Sequence, residues 1–157
     1  MGLITITLQN NAEGTLLLLD SIQLCNIKTE NANINTITIS KHQPAMELSN
    51  NSSFSTTEIN LPSQKFIPWT PDKLPEESTT AYIKICGKLY TYLTTGETLL
   101  HCTGPMYTPL QGLIHPKRNT TIKIEIYDNC PIYCQSDSTL YKILIPVNFD
   151  VSIDEWE

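Results

Sequence analysis

Apolar and polar side chains alternate with a period of two along most of this chain, the spacing that places one set on each face of a β-strand. The segment "LITITL" sets Ile4, Ile6 and Leu8 against Thr5 and Thr7. A turn-like "NNAEG" follows. Then "TLLLLDSIQLCNIK" reads as a long strand, with Ile22 and Leu24 on one face and Ser21 and Gln23 on the other. "INTITIS" is a shorter alternating piece. In "AYIKICGKLYTYL", Ile83 and Ile85 point inward, Tyr82 and Lys84 outward, and Gly87 marks a bulge. "TTGE" reads as a hairpin turn into "TLLHCTGPMYTPL", a return strand broken at Gly104-Pro105. "NTTIKIEIYD" places Ile122, Ile124 and Ile126 on one face and Lys123, Glu125 and Tyr127 on the other. The last strand has the clearest alternation: Ile143, Ile145, Val147, Phe149, Val151 and Ile153 share a face, with Pro146 on the outward parity.

Two stretches break the pattern. Residues 40–60 are rich in Ser and Asn and read as a loop or a weak edge strand. "LPSQKFIPWTPDKLPEEST" carries Pro62, Pro68, Pro71 and Pro75, which remove backbone donors and fix φ. It is expected to cross from one sheet to the other, with Trp69 as its anchor. The pattern amounts to seven to nine strands, no amphipathic helix and no tandem repeat. It predicts an all-β fold over residues 1–157, a single two-sheet antiparallel β-sandwich. Burying about a dozen aliphatic and aromatic side chains at ~1.5–3 kcal/mol each offsets much of the ordering entropy.

Composition narrows the function. The chain has 157 residues and a net charge of −6, and Lys117–Arg118 is its only adjacent basic pair. Nucleic-acid binding needs a positive footprint against phosphates, so that class is set aside. Leu16–Leu19 is the longest apolar run, far short of the roughly 20 residues that span a bilayer as a helix.

Candidate chemistry is sparse. The cysteines are Cys25, Cys86, Cys102, Cys130 and Cys134, an odd number that excludes complete internal pairing. Only Cys130 and Cys134 are close in sequence, which is not the paired spacing of a structural zinc site or the Cys-x-x-Cys of redox enzymes. They read as a stapled loop or as inert thiols. Cys86 and Cys102 flank one turn, which permits a cross-strand bridge. His42, His101 and His115 stand in unrelated contexts, with no nucleophile elbow nearby. Asp150 and Asp154 would lie ~13 Å apart on one strand face, too far for a shared acid–base pair. No catalytic residue, cofactor or metal site is expected, and the chain reads as a non-enzyme. Tyrosines and Trp69 admit two readings: cross-strand packing, or a sugar- or protein-contact surface centred on Trp69 and Tyr107.

Several segments taken together resemble the C-terminal domain of the fimbrillin-like proteins, the surface-fibre subunits of Bacteroides-type bacteria. They are "ITITLQNNAEGTLLLLDSIQLCNIKT", "LPSQKFIPWTP" with "TTAYIKICGKLY", "PMYTPLQGLIHPKRNTTIKIEIYDN" and "ILIPVNFDVSIDEWE". The similarity runs from about Ile4 to Trp156, carried by the order and spacing of the segments. It implies a transthyretin-like Greek-key sandwich, the second domain of a longer two-domain protein. It also implies export by the lipoprotein route to the outer membrane or fimbrium, with membrane attachment only through a lipid anchor. Its partners would be other fimbrial subunits, joined by strand addition as shaft, tip or anchor. The expected assembly strands are the first, with Ile4, Ile6 and Leu8, and the last, Ile143–Ile153. The alternative is an adhesin module that binds a host glycan or protein and does not polymerise.

Overall fold

The computed structural model describes residues 1–103, 105–126, 132–136 and 139–142. The expected last strand, Ile143–Ile153, lies outside the described residues, as do Tyr127 and Cys130. In chain order the strands are β1 (Gly2–Asn10), β2 (Thr15–Ile27), β3 (Asn35–Ser49), β4 (Ser52–Ser55), β5 (Ile59–Leu61) and β6 (Gln64–Phe66). A short 3₁₀ turn, Pro75–Glu77, leads to β7 (Tyr82–Tyr92), β8 (Thr98–Cys102), β9 (Met106–Pro109), β10 (Gly112–Ile114), β11 (Asn119–Ile126), β12 (Tyr133–Ser136) and β13 (Thr139–Lys142).

The larger sheet runs β13-β12-β9-β7-β2-β3, with β8 also paired to β7. The smaller sheet runs β11-β1-β4, with β5 paired to β1, and β6 and β10 form a separate two-stranded ribbon. The all-β class therefore holds. The described strands outnumber the expected seven to nine because β5, β6 and β10 are three residues each and β4, β12 and β13 four, too short for alternation to show. The Ser/Asn-rich stretch is mostly the edge strand β3 together with β4.

One pairing departs from the antiparallel expectation. β1 runs parallel to β11, matching Ile6 to Ile122 and Leu8 to Ile124. These strands are far apart in sequence, so no hairpin fixes their direction. Their register instead brings the two apolar combs into phase.

The sheets share one aliphatic core that includes Ile4, Ile6, Leu8, Leu17, Leu19, Ile22, Leu24, Ile83, Ile85 and Ile126. Alternation alone cannot bury both Leu17–Leu19 and Ile22–Leu24, whose parities differ. A bulge between Leu19 and Ser21 inserts the extra residue and restores the phase. Gly87 lies opposite that bulge, and a Cβ there would sit 2.3 Å from the Leu18 carbonyl oxygen. A second irregularity between Leu24 and Ile27 uses Asn26 in the left-handed region at φ 60°. The Asn26 amide donates to the carbonyls of Ser78 and Thr80, at 2.8 and 3.0 Å.

Candidate functional site

The first site that sequence reading proposed is β1. Its burial strictly alternates, and Ile4, Ile6 and Leu8 are fully enclosed. Both of its edges are occupied. β11 pairs with it from Leu3 to Asn10; on the other side β5 takes Gly2–Ile4 and β4 takes Thr7–Asn10. Thr56 bridges the gap between β4 and β5. Its amide donates to the Ile6 carbonyl at 2.9 Å and its hydroxyl accepts from the Ile6 amide at 3.0 Å. All three neighbours are remote in sequence, so β1 is held by ladders and by its apolar comb rather than by a hairpin.

Asn10 closes the far end of this slot and is wholly buried. Its amide donates to the Leu48 carbonyl at 3.0 Å, while its oxygen accepts from the Ala12 amide and the Thr15 hydroxyl, both at 3.0 Å. Sequence reading passed over Asn10 and Thr56. For Asn10 a signal existed: it continues the inward parity of Ile4, Ile6 and Leu8, so it is a polar residue at a core position and requires partners. Beside β11 lies a concavity of about 400 Å³ lined by Ile83, Ile122, Ile124 and Ile132.

The second expected site, the contact surface at Trp69 and Tyr107, is not a surface. Trp69 is 1% exposed and Tyr107 5%. With Tyr82 and Cys25 they form a buried cluster, flanked by Tyr133 and Leu140. Trp69 lies 5.7–6.3 Å from the rings of Tyr133, Tyr82 and Tyr107, mostly edge to face. The proline-rich segment lays Trp69 across these residues. The Trp69 amide donates to the Ala81 carbonyl at 2.8 Å, and its indole N–H donates to the Lys73 carbonyl at 3.0 Å. The anchor role expected of Trp69 is thus what the packing displays. Removal from water pushes the Tyr107 phenol up to about 12. Burial, and then the nearby Cys25, push Tyr82 further in the same direction. The Cys25 thiol is raised too, chiefly by burial, which suppresses the reactive thiolate.

The cysteines pair in a way that spacing did not suggest. Cys102 at the end of β8 bonds to Cys134 in β12, with Cα atoms 6.1 Å apart. The Cys86–Cys102 bridge is therefore not formed, nor is a Cys130–Cys134 staple; Cys25 and Cys86 are free thiols. Both bridged sulfurs point into the aliphatic core, whereas Cys86 is on the outward parity of β7. The histidines lie on separate elements. His42 meets the Ser40 hydroxyl at 2.7 Å, His101 meets the Thr91 hydroxyl, and His115 is exposed in the turn after β10. Burial lowers the His101 pKa below its ordinary value. Among the described residues no cluster of three His, Cys, Asp or Glu side chains is placed to hold a metal ion.

No family pattern, curated protein or solved structure matches the chain.

Proposed function

We propose that this chain is a non-enzymatic structural and adhesive subunit of a cell-surface fibre, of the fimbrillin type, with its strands connected as a transthyretin-like Greek key. In this reading it is exported, and it joins copies of itself or related subunits by strand addition. The observation that carries the reading is the seat of β1. This strand fills the middle of the smaller sheet, its three sheet neighbours come from distant sequence, and its apolar comb is completely buried. A strand held only by ladders and side-chain pockets can be replaced by an equivalent strand from another subunit, because affinity resides in backbone hydrogen bonds and specificity in the alternate side chains. The adhesin alternative gains no support from Trp69 and Tyr107, since neither reaches solvent.

The test is to refold the full chain with an excess of dye-labelled peptide spanning Gly2–Asn10. The peptide is expected to be retained in the β1 slot through gel filtration, while the same peptide carrying Ile6→Asp is lost. Failure to retain the native peptide removes the strand-addition reading.

A further inference from the structure

The β7–β8 hairpin carries apolar side chains into solvent. Every residue from Tyr92 to Leu100 is exposed, including Tyr92, Leu93, Leu99 and Leu100 at 40–52%. The hairpin is nevertheless ordered by its own bonds: Leu93 donates to the Glu97 carbonyl at 2.8 Å, and Gly96 supplies the left-handed turn at φ 89°. It projects past the β1–β2 turn, where the Tyr92 amide donates to the Gly14 carbonyl. The register sets Tyr92 and Leu100 on one face of the hairpin and Leu93 and Leu99 on the other, so the projecting tip is apolar on both sides, as a contact element is.

The opposite end of the same strands is concave. A hollow of about 350 Å³ is lined by Ile34, Phe66, Ile67, Lys28 and Lys65. Ile34 and Ile67 are 56% and 68% exposed, and Leu113, paired with Lys65 across the β6–β10 ribbon, is 44% exposed. Ile67 accepts from the Ala81 amide just before β7 begins, whereas the hairpin tip lies just beyond where β7 ends. The two patches are therefore separated by the length of β7, roughly 36 Å at ~3.3 Å per residue.

Their charges are complementary. Glu97 and Glu13 are exposed at the hairpin end. Lys28 and Lys65 line the hollow, and Lys117, whose amide donates to the Met1 carbonyl, lies at that same end together with Glu30.

We infer that the β7–β8 tip of one copy docks into the Ile34–Ile67 hollow of a second copy of this chain. The two surfaces differ and sit at opposite ends, so the contact is heterologous. A pair keeps one free hollow on one copy and one free tip on the other, and the contact propagates into a filament or a ring. The complementary charges set the polarity and speed the encounter. This contact uses none of the β1 slot and stands whether or not strands exchange.

Sedimentation velocity on the full chain tests it. The wild type is expected to self-associate with rising concentration into species beyond the dimer. Leu100→Asp at the tip and Ile67→Asp at the hollow should each weaken association at least tenfold, with melting temperatures unchanged. An equal mixture of the two variants should give one-to-one dimers and nothing larger, because only one productive contact remains. Glu97→Lys, placed out in the turn, should weaken association without touching the fold. A chain that stays monomeric at all concentrations overturns the inference. So does a response to the tip variants alone, which would mean a tip-to-tip contact, or a mixture that forms no dimer. Neither the peptide nor refolding enters this measurement, so its failure is distinct from failure of strand addition.

Discussion

The two faces of the larger sheet are buried by different means. Toward the smaller sheet, Leu17, Leu19, Ile22, Leu24, Ile83 and Ile85 pack against the combs of β1 and β11. On the reverse face, Tyr82 and Tyr107 are covered by Trp69 on a proline-rich strap. The first face is covered by another sheet and contains aliphatic side chains. The second is covered by an irregular segment and contains rings whose polar tips must find partners. One sheet thus has a face that depends on the whole fold and a face that depends on a local strap.

The largest expected effect lies on the aliphatic face. Ile85 is fully buried between the sheets. Ile85→Asp places an unpaired carboxylate there, at a cost of more than ~4 kcal/mol against a typical domain stability of ~5–15 kcal/mol. The expected outcome is loss of cooperative unfolding and of dispersed amide signals. A folded, dispersed spectrum would mean that this face is not a shared core. Trp69→Ala on the other face should cost about 3–5 kcal/mol, yet its consequences should stay local. Hydrogen exchange should accelerate first at the Ala81 amide, which donates to Ile67 beside the strap. Equal acceleration at Ile83 and Ile85 would erase the distinction between the faces.

The disulfide tests the comparison from a third position. Cys102–Cys134 is buried in the aliphatic core and closes a loop with a sequence separation of 32. Constraining a loop of that size in the unfolded chain is worth ~3–4 kcal/mol. Cys102→Ala with Cys134→Ala should lower the denaturation midpoint accordingly, whereas reductant should leave the double variant unchanged. A midpoint in the double variant equal to that of the wild type would show that the bridge is not formed in solution.

These contrasts explain what could be read from sequence. Alternation reports which side of a strand a residue faces, so the inward placement of Ile83, Ile85, Ile124 and Ile126 was legible. It does not report what lies above that side. Tyr82 and Tyr107 share the outward parity and read as surface, because nothing in their own strands announces the strap. Direction and partnership across long separations were equally hidden: the parallel β1–β11 ladder and the Cys102–Cys134 bridge both join segments that no local turn connects. The slot around β1 was half legible. Its comb is plain in "ITITL", but its position between two neighbours is a tertiary outcome.

The smallest effect is a slope with pH, and it belongs to the aromatic face alone. Tyr107 keeps its proton up to about 12 because burial disfavours the phenolate, while an unfolded tyrosine loses it near ~10. Below pH ~10 both states hold the proton and the group contributes no slope. Between there and about 12 the unfolded chain holds fewer protons than the folded one, so stability falls as pH rises. Above that window Tyr107 is ionised in both states and its contribution levels off. Tyr82, raised further by burial and by Cys25, extends the fall in the same direction. Urea midpoints measured across this range should decline in the wild type and decline less in Tyr107→Phe. Leu19→Val, on the aliphatic face, should lower the whole curve without changing its slope. A Tyr107→Phe curve parallel to the wild type would place that phenol in water and dissolve the distinction between the two faces.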